Sequence, residues 1–144
     1  MDGKKWWQRL LGRNGVAELD PARPDLVVVA SSFDDAEACS AALGKALDWT
    51  VDEPVVLRHH LRVPAGQVNA VQIIAAQDGY NAPPPRASGS LNDGDPAKLV
   101  LQRVQVLDAL HCSQERSRMA GLAQRHDGDV LGWDALQPAS RKKK

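Results

Sequence analysis

Cysteine, aromatic residues and long apolar runs are all scarce in this chain of 144 residues. Its two cysteines, Cys39 and Cys112, are too few and too far apart for a disulfide framework or a zinc knuckle, so each is interpreted as a small buried hydrophobe. No run of about 18 apolar residues occurs, so no membrane-spanning helix is expected. The N-terminus lacks the roughly 7–15-residue apolar core of a signal peptide, and we therefore expect a cytoplasmic protein.

Motifs for catalysis and metal binding are missing as well. The sequence contains no Gly-x-Ser-x-Gly elbow, no glycine-rich phosphate loop and no zinc-ligand spacing. His59 and His60 are adjacent on a predicted strand, so their side chains point to opposite faces and cannot easily share one ion. We therefore predict that the protein is not an enzyme and has no catalytic residues, no metal and no cofactor.

The zero net charge conceals a segregation of charge along the chain. Residues 1–13 carry +3 and residues 141–144 carry +4, whereas residues 14–140 contain 10 basic and 17 acidic residues and carry −7. An acidic body repels phosphate backbones, which disfavours nucleic acid as its partner. The basic ends suit an anionic surface such as lipid, RNA or an acidic protein, unless they are simply solvated.

Residues 4–13 form a basic amphipathic segment. On a helix its two tryptophans and two leucines share one face, with basic side chains beside it. Ten residues cannot bury two tryptophans among themselves, and so short a helix is marginal in water. We therefore predict that residues 1–15 dock on this domain, on a partner protein or on an anionic membrane surface. The predicted docking residues are Trp6, Trp7, Arg9, Leu10, Leu11 and Arg13.

The pattern of hydrophobic residues predicts strands and helices after a linker at 16–25. A helix running from 96 to 126 would be about 46 Å long, more than twice the length of a typical strand, so we favour a strand at the start of this stretch. Residues 55–76 are interpreted as a β-hairpin and residues 79–97 as a mobile loop. The predicted strands are 26–30, 55–63, 69–76, 98–107 and 129–136, and the predicted helices are 34–48 and 109–126.

This order of elements predicts an α+β fold of the ferredoxin-like, split β–α–β type. In that sandwich two helices cover one face of an antiparallel sheet, and this chain adds an extra strand and the peripheral N-terminal segment. One domain is expected over residues 26–138, followed by a basic tail at 139–144. The uncovered sheet face or an exposed edge strand is then available to a partner.

Residues 119–134 contain a helix that ends in Leu-Ala, a glycine turn and a strand with the sequence Gly132-Trp133-Asp134. This stretch resembles the ribonuclease E inhibitor (RraB-like) family, and the Asp34-Asp35-Ala36-Glu37-Ala38 helix start is similar too. The resemblance implies a ferredoxin-like fold that binds another protein and has no catalysis of its own. A ribonuclease-type partner is the family default.

Together these observations predict a non-catalytic protein-binding module that acts as a regulatory or accessory subunit of a larger assembly. The alternative is a peripheral accessory component of a membrane enzyme complex, anchored at the inner face of the membrane by its N-terminus. Trp133 and Asp134 are candidate residues of a binding surface, unless Trp133 packs under the helices as an ordinary core aromatic.

Overall fold

The computed structural model describes residues 19–83 and 91–139. The predicted docking residues in the segment 1–15 lie outside these ranges, as do residues 84–90 and 140–144. The described elements are, in chain order, β1 (Leu26–Ser32), α1 (Cys39–Gly44), β2 (Pro54–Pro64), a 3₁₀ turn (Ala65–Gln67), α2 (Val68–Ala76), β3 (Pro96–Val106), α3 (Ala109–Gln124) and β4 (Asp129–Pro138).

The four strands form one antiparallel sheet in the order β1-β4-β2-β3. β1 and β2 therefore run in the same direction with β4 between them, and β3 and β4 run in the same direction with β2 between them. The chain thus makes two interleaved β–α–β crossovers, one through α1 and one through α3. The predicted α+β class with an antiparallel sheet is confirmed.

Alternation along β2 determines which side chains enter the core. Leu57, His59 and Leu61 point to one face and are fully buried, whereas Arg58 and His60 point to the other face. The helices pack on the first face, which we call the helix face. We call the second the open face, since no helix of the described chain packs on its centre.

The core on the helix face has two halves. In one half, Cys39 and Leu43 of α1 and Cys112 of α3 cluster with Leu57 and Trp133 of the sheet. The other half joins α2 and the C-terminal part of α3 to β2 and β3, through Leu61, Val63, Val71, Ala75, Tyr80, Leu99, Leu101, Met119, Leu122 and Ala123. Because α3 contributes to both halves, it holds α1 and α2 against one sheet.

The predicted strand at 69–76 is wrong, because these residues form α2. Val71 and Ala75 are buried four residues apart, with Val68 and Ile74 packed against the same cluster, while Ile73 is exposed. This spacing is helical, and packing on the sheet outweighs the strand preference of valine and isoleucine. The predicted hairpin at 55–76 and the extra strand are therefore wrong as well: β2 pairs with β3, and the extra element is a helix.

The predicted helix at 34–48 is much shorter than expected, spanning only Cys39–Gly44. Asp34 accepts a hydrogen bond from the backbone N–H of Ala36 through its side chain (2.9 Å) and from that of Glu37 through its carbonyl (3.0 Å). These bonds form a turn in place of a first helical turn, as is common for aspartate.

The strand interpretation of 98–107 is confirmed, since β3 (Pro96–Val106) pairs with β2 along its whole length. The predicted helix at 109–126 corresponds to α3 (Ala109–Gln124), which begins after Asp108 accepts a hydrogen bond from the backbone N–H of His111 (2.8 Å). β1, β2 and β4 also lie where strands were predicted, each extended by one or two residues at one or both ends.

Residues 79–97 are not a peripheral loop throughout, contrary to prediction. The side chain of Tyr80 is buried in the core, and Asn81 forms a bridge to Gln102 of β3. This segment is anchored because Tyr80 supplies apolar area that the short helix α2 does not. The predicted linker at 16–25 is also partly packed, since Leu19 is buried and lies with Val56 and Val104 around one cavity.

Gly128 allows β4 to begin against the end of β2. A Cβ atom at Gly128 would lie 2.2 Å from the carbonyl oxygen of Arg62 and 2.5 Å from a methyl group of Val63. We expect Gly128→Ala to lower the free energy of unfolding by about 1–3 kcal/mol, because backbone must move to admit the methyl group. Urea denaturation measures this change.

The matched control is Gly44→Ala at the end of α1, where a Cβ atom would meet no atom within 4 Å. This control should leave stability unchanged or raise it slightly, since alanine favours helix over glycine. Equal midpoints for Gly128→Ala and the unmodified protein would show that β2 and β4 do not approach as closely as described.

Candidate protein-binding surface

Trp133 and Asp134 are neighbours on β4 and therefore point to opposite faces of the sheet. Trp133 lies on the helix face, is 1% exposed and belongs to the core cluster of α1 and α3. Its indole ring is therefore core and presents no surface to a partner, contrary to its candidate role in binding. Asp134 lies on the open face, opposite Arg58 of β2.

Two basic side chains of β2 hold the carboxylate of Asp134, which is 5% exposed. Arg58 donates two hydrogen bonds of 2.7 Å to its two oxygens, and the ring of His60 lies 3.3 Å from one of them. Burial alone would raise the pKa of Asp134, but the bonds from Arg58 and His60 outweigh it and lower the pKa below its usual value. The carboxylate thus fixes the position of the Arg58 guanidinium on the open face.

Phe33 lies beside this ion pair and is the only phenylalanine in the chain. Its ring rests on Gly132, where a Cβ atom would lie 2.2 Å from the ring, and its centre is 5.2 Å from that of the His60 ring. The side chain nevertheless remains 57% exposed. Because Gly132 has no side chain, the exposed ring of Phe33 can pack directly against its backbone.

A groove of about 160 Å³ opens next to Phe33, between the end of β1, the start of β4 and α3. Its apolar lining includes Phe33, Val130 and Leu131, and acidic side chains line it as well. Arg116 of α3 also lines the groove but donates hydrogen bonds to the backbone carbonyls of Asp34 (3.0 Å) and Glu37, so its charge is engaged in holding the loop after β1. The acidic lining residues are Asp34, Asp35 and Asp129.

A second polar cluster lies inside the helix face. The Tyr80 hydroxyl donates to Glu115 (2.7 Å) and lies 3.4 Å from the ring of His59, while Arg103 stacks on the Tyr80 ring with 4.5 Å to its centre. Burial and the bond to Glu115 raise the pKa of Tyr80. Because Tyr80, His59 and Glu115 are all buried, this cluster joins the segment after α2 to α3 and the sheet inside the core.

The two thiols are enclosed as well. Cys39 and Cys112 are both buried, and burial together with a hydrogen bond from the Cys112 thiol to Cys39 raises the pKa of Cys112. The described residues contain no group of three or more His, Cys, Asp or Glu side chains that could hold a metal ion. Nor do they include a helix long and apolar enough to cross a membrane. The open face presents the aromatic ring of Phe33 and the charged side chain of Arg58.

Comparison with models of known protein families, with curated proteins and with solved structures finds no match for this chain.

Sequence reasoning missed Phe33, Arg58 and His60 as members of the candidate surface. Alternation along the predicted strand 55–63 did place Arg58 and His60 on one face, but it did not indicate which strand lies beside β2. The opposition of Arg58 and Asp134, 76 residues apart, depends on the position of β4 in the sheet.

The buried imidazole of His59 predicts a pH-dependent stability. Burial lowers the pKa of His59 from 6.5 to about 4. Between pH 6.5 and pH 4 the imidazole is therefore protonated in the unfolded chain but neutral in the folded chain. Stability therefore falls as pH falls, by about 2 kcal/mol between pH 7 and pH 5 from this group. Urea denaturation of the native protein and of His59→Gln across this range measures the effect.

In the His59→Gln variant, the free energy of unfolding should change much less between pH 7 and pH 5 than in the native protein. This holds even if the variant is less stable at both pH values. The pKa values of Asp134 and Glu115 are lowered in the folded protein. The stability that these carboxylates provide is therefore lost only at lower pH, when they become protonated. The same slope in the variant and the native protein would mean that His59 is not buried in its neutral form.

Proposed function

We propose that this protein is a non-catalytic binding module, a regulatory or accessory subunit that contacts another protein through the open face around Phe33. The observation that carries the proposal is the exposed ring of Phe33, seated on Gly132 and against His60. An aromatic ring already held in position loses little conformational freedom on binding, so most of its burial counts toward affinity.

The surroundings of Phe33 also resemble the centre of a protein–protein interface. Arg58 is positioned by its two bonds to Asp134, and arginine and aromatic residues are the types that contribute most to such interfaces. The adjoining groove has an apolar lining with acidic side chains, which suits an apolar side chain flanked by basic residues. A partner segment with that composition is the expected ligand.

The N-terminal segment is proposed as a second docking element. Trp6, Trp7, Leu10 and Leu11 each offer roughly 1.5–3 kcal/mol or more on full burial, which offsets much of the ordering cost of about 1–2 kcal/mol per residue. One short helix makes only a weak and reversible anchor, so stable association also needs contacts from the folded domain. The open face around Phe33, which we call the Phe33 surface, would supply these contacts.

We further propose that the chain is an RraB-like, ferredoxin-like protein that acts in the cytoplasm. The two split β–α–β crossovers support this plan, and the helix α2 between β2 and β3 is an addition to it. The Gly132-Trp133-Asp134 stretch that carries the resemblance contributes to both sides of the sheet, with Trp133 in the core and Asp134 beside Arg58. A ribonuclease-type partner remains the family default.

Affinity capture tests the binding surface. The full-length protein, immobilised in lysate of its native host with and without detergent, should retain a partner that Phe33→Ala loses. In titrations with the identified partner, Phe33→Ala should weaken affinity by about tenfold or more, because a central aromatic anchor is removed. Co-purifying nucleases would indicate the family partner, and subunits of a membrane complex would indicate the alternative.

The matched control is Leu47→Ala, since Leu47 is 93% exposed but does not line the groove. It should retain the partner with unchanged affinity. If Phe33→Ala and Leu47→Ala bind the partner equally well, the open face around Phe33 is not the contact surface.

The alternative function is a peripheral component of a membrane enzyme complex, favoured by the tryptophans and basic residues of 4–13. On this hypothesis the protein should float with phosphatidylserine-containing vesicles but not with pure phosphatidylcholine vesicles, since each basic residue contributes about 1 kcal/mol at an anionic surface. The variant Trp6→Ala/Trp7→Ala should lose flotation, whereas Phe33→Ala should keep it. A native protein that stays in the soluble fraction with both vesicle types contradicts the membrane function.

A further inference from the structure

One row of side chains across the open face is entirely aliphatic. Paired residues of antiparallel strands point to the same face, so the row contains one residue from each strand. Its members, from β1 to β3, are Val28, Leu136, Val56 and Val104. Val28 is 51% exposed, and Leu136 and Val104 are half-buried. We call this strip of apolar surface the aliphatic row.

The described chain begins on the aliphatic row. Leu19 is 7% exposed and lies with Val56 and Val104 around one cavity, so it packs at the β2–β3 end of the row. At the β1 end, Val28 is not covered to the same extent. Residues 1–18 are therefore joined to a point on the open face, next to apolar surface of the kind that tryptophan and leucine side chains bury.

We propose that residues 4–13 form a helix that docks on the aliphatic row of their own domain, through Trp6, Trp7, Leu10 and Leu11. The proposal concerns the protein without a partner. A partner or membrane that binds this segment, as proposed above, must then displace it from the row. That consequence rests on the proposed function, whereas the docking itself does not.

The dimensions of the segment and of the row agree. Four strands about 4.8 Å apart give the row a width of about 14 Å, and a helix of ten residues is about 15 Å long. Residues 14–18 span up to about 17 Å when extended, so the helix can lie back across the row from Leu19. So short a linker holds it there at an effective concentration on the order of 1 mM, at which a weak contact is already populated.

The end of the sheet that carries the row is acidic. The row lies two residues from the start of β1 and of β2. Asp52 and Glu53, directly before β2, are exposed and form no ion pair with another described residue, and Asp20 is exposed as well. Arg23 does not offset these charges, since it is already bound to Asp25 (2.7 Å). The N-terminal segment, which carries +3, therefore meets charge of opposite sign beside the row.

Trypsin cleavage of the full-length protein tests the proposal, because the segment contains its own cleavage sites at Lys4, Lys5, Arg9 and Arg13. Cleavage after Arg9 requires an undocked helix, so its rate follows the undocked population. Mass spectrometry measures this rate, which should be at least tenfold lower in the native protein than in a synthetic peptide of residues 1–18. Val28→Lys should raise the rate towards that of the peptide, because it places a charge in the row and repels the basic segment.

The matched control is Ile73→Lys on α2, since Ile73 is 62% exposed but lies on the other side of the sheet. This control and Phe33→Ala should be cleaved as slowly as the native protein. Trp6→Ala/Trp7→Ala leaves the residues of the domain unchanged and should be cleaved as fast as a peptide with the same substitutions. That variant separates loss of docking from any loosening of β1 by the lysine.

Equal rates in the native protein and the peptide would overturn the proposal, as would equal rates in Val28→Lys and Ile73→Lys. Protection that increases with protein concentration would place the segment on the row of a second copy, and would likewise overturn docking within one chain.

Discussion

The pairing of β2 with β4 is the interaction on which the rest of the structure depends. These are the strands with a neighbour on both sides, and β4 alone links β1 to the remainder of the sheet. Across this pair, Arg58 binds Asp134 on the open face while His59 lies opposite Trp133 on the helix face. On each face of the sheet, one contact between β2 (54–64) and β4 (129–138) therefore lies at the centre of the surrounding side chains.

Two clusters of polar side chains flank this pair of strands, one on each face of the sheet. They differ in how far their side chains are exposed to solvent. On the helix face, Tyr80 and Glu115 are enclosed, and their bond joins the segment after α2 to α3 in the core. On the open face, Asp134 is enclosed but its partner Arg58 and the adjacent Phe33 face outward. A buried acid that orients an accessible cation beside an accessible ring fits the proposed binding role, since groups already in place lose little conformational freedom on binding.

The sequence was sufficient for most strands because their signal is local. The alternation in 55–63 and the length argument at 98–107 both led to the observed strands, and the glycine turn within 119–134 does precede β4. The error at 69–76 arose because Val71 and Ile74 favour strands in composition, while their spacing fits a helix only once a sheet is available to pack on. The Phe33 surface could not be predicted, since it requires Gly132 to lie beneath a ring 99 residues earlier in the chain.

The position of β4 inside the sheet also affects how the chain folds during synthesis. β1 emerges first from the ribosome, yet its neighbour in the sheet is made after every other strand. The nascent chain must therefore keep an uncharged, valine-rich segment unpaired until more than a hundred residues have followed it. Such non-local pairing slows folding, and it exposes the unpaired β1 segment to premature association during synthesis.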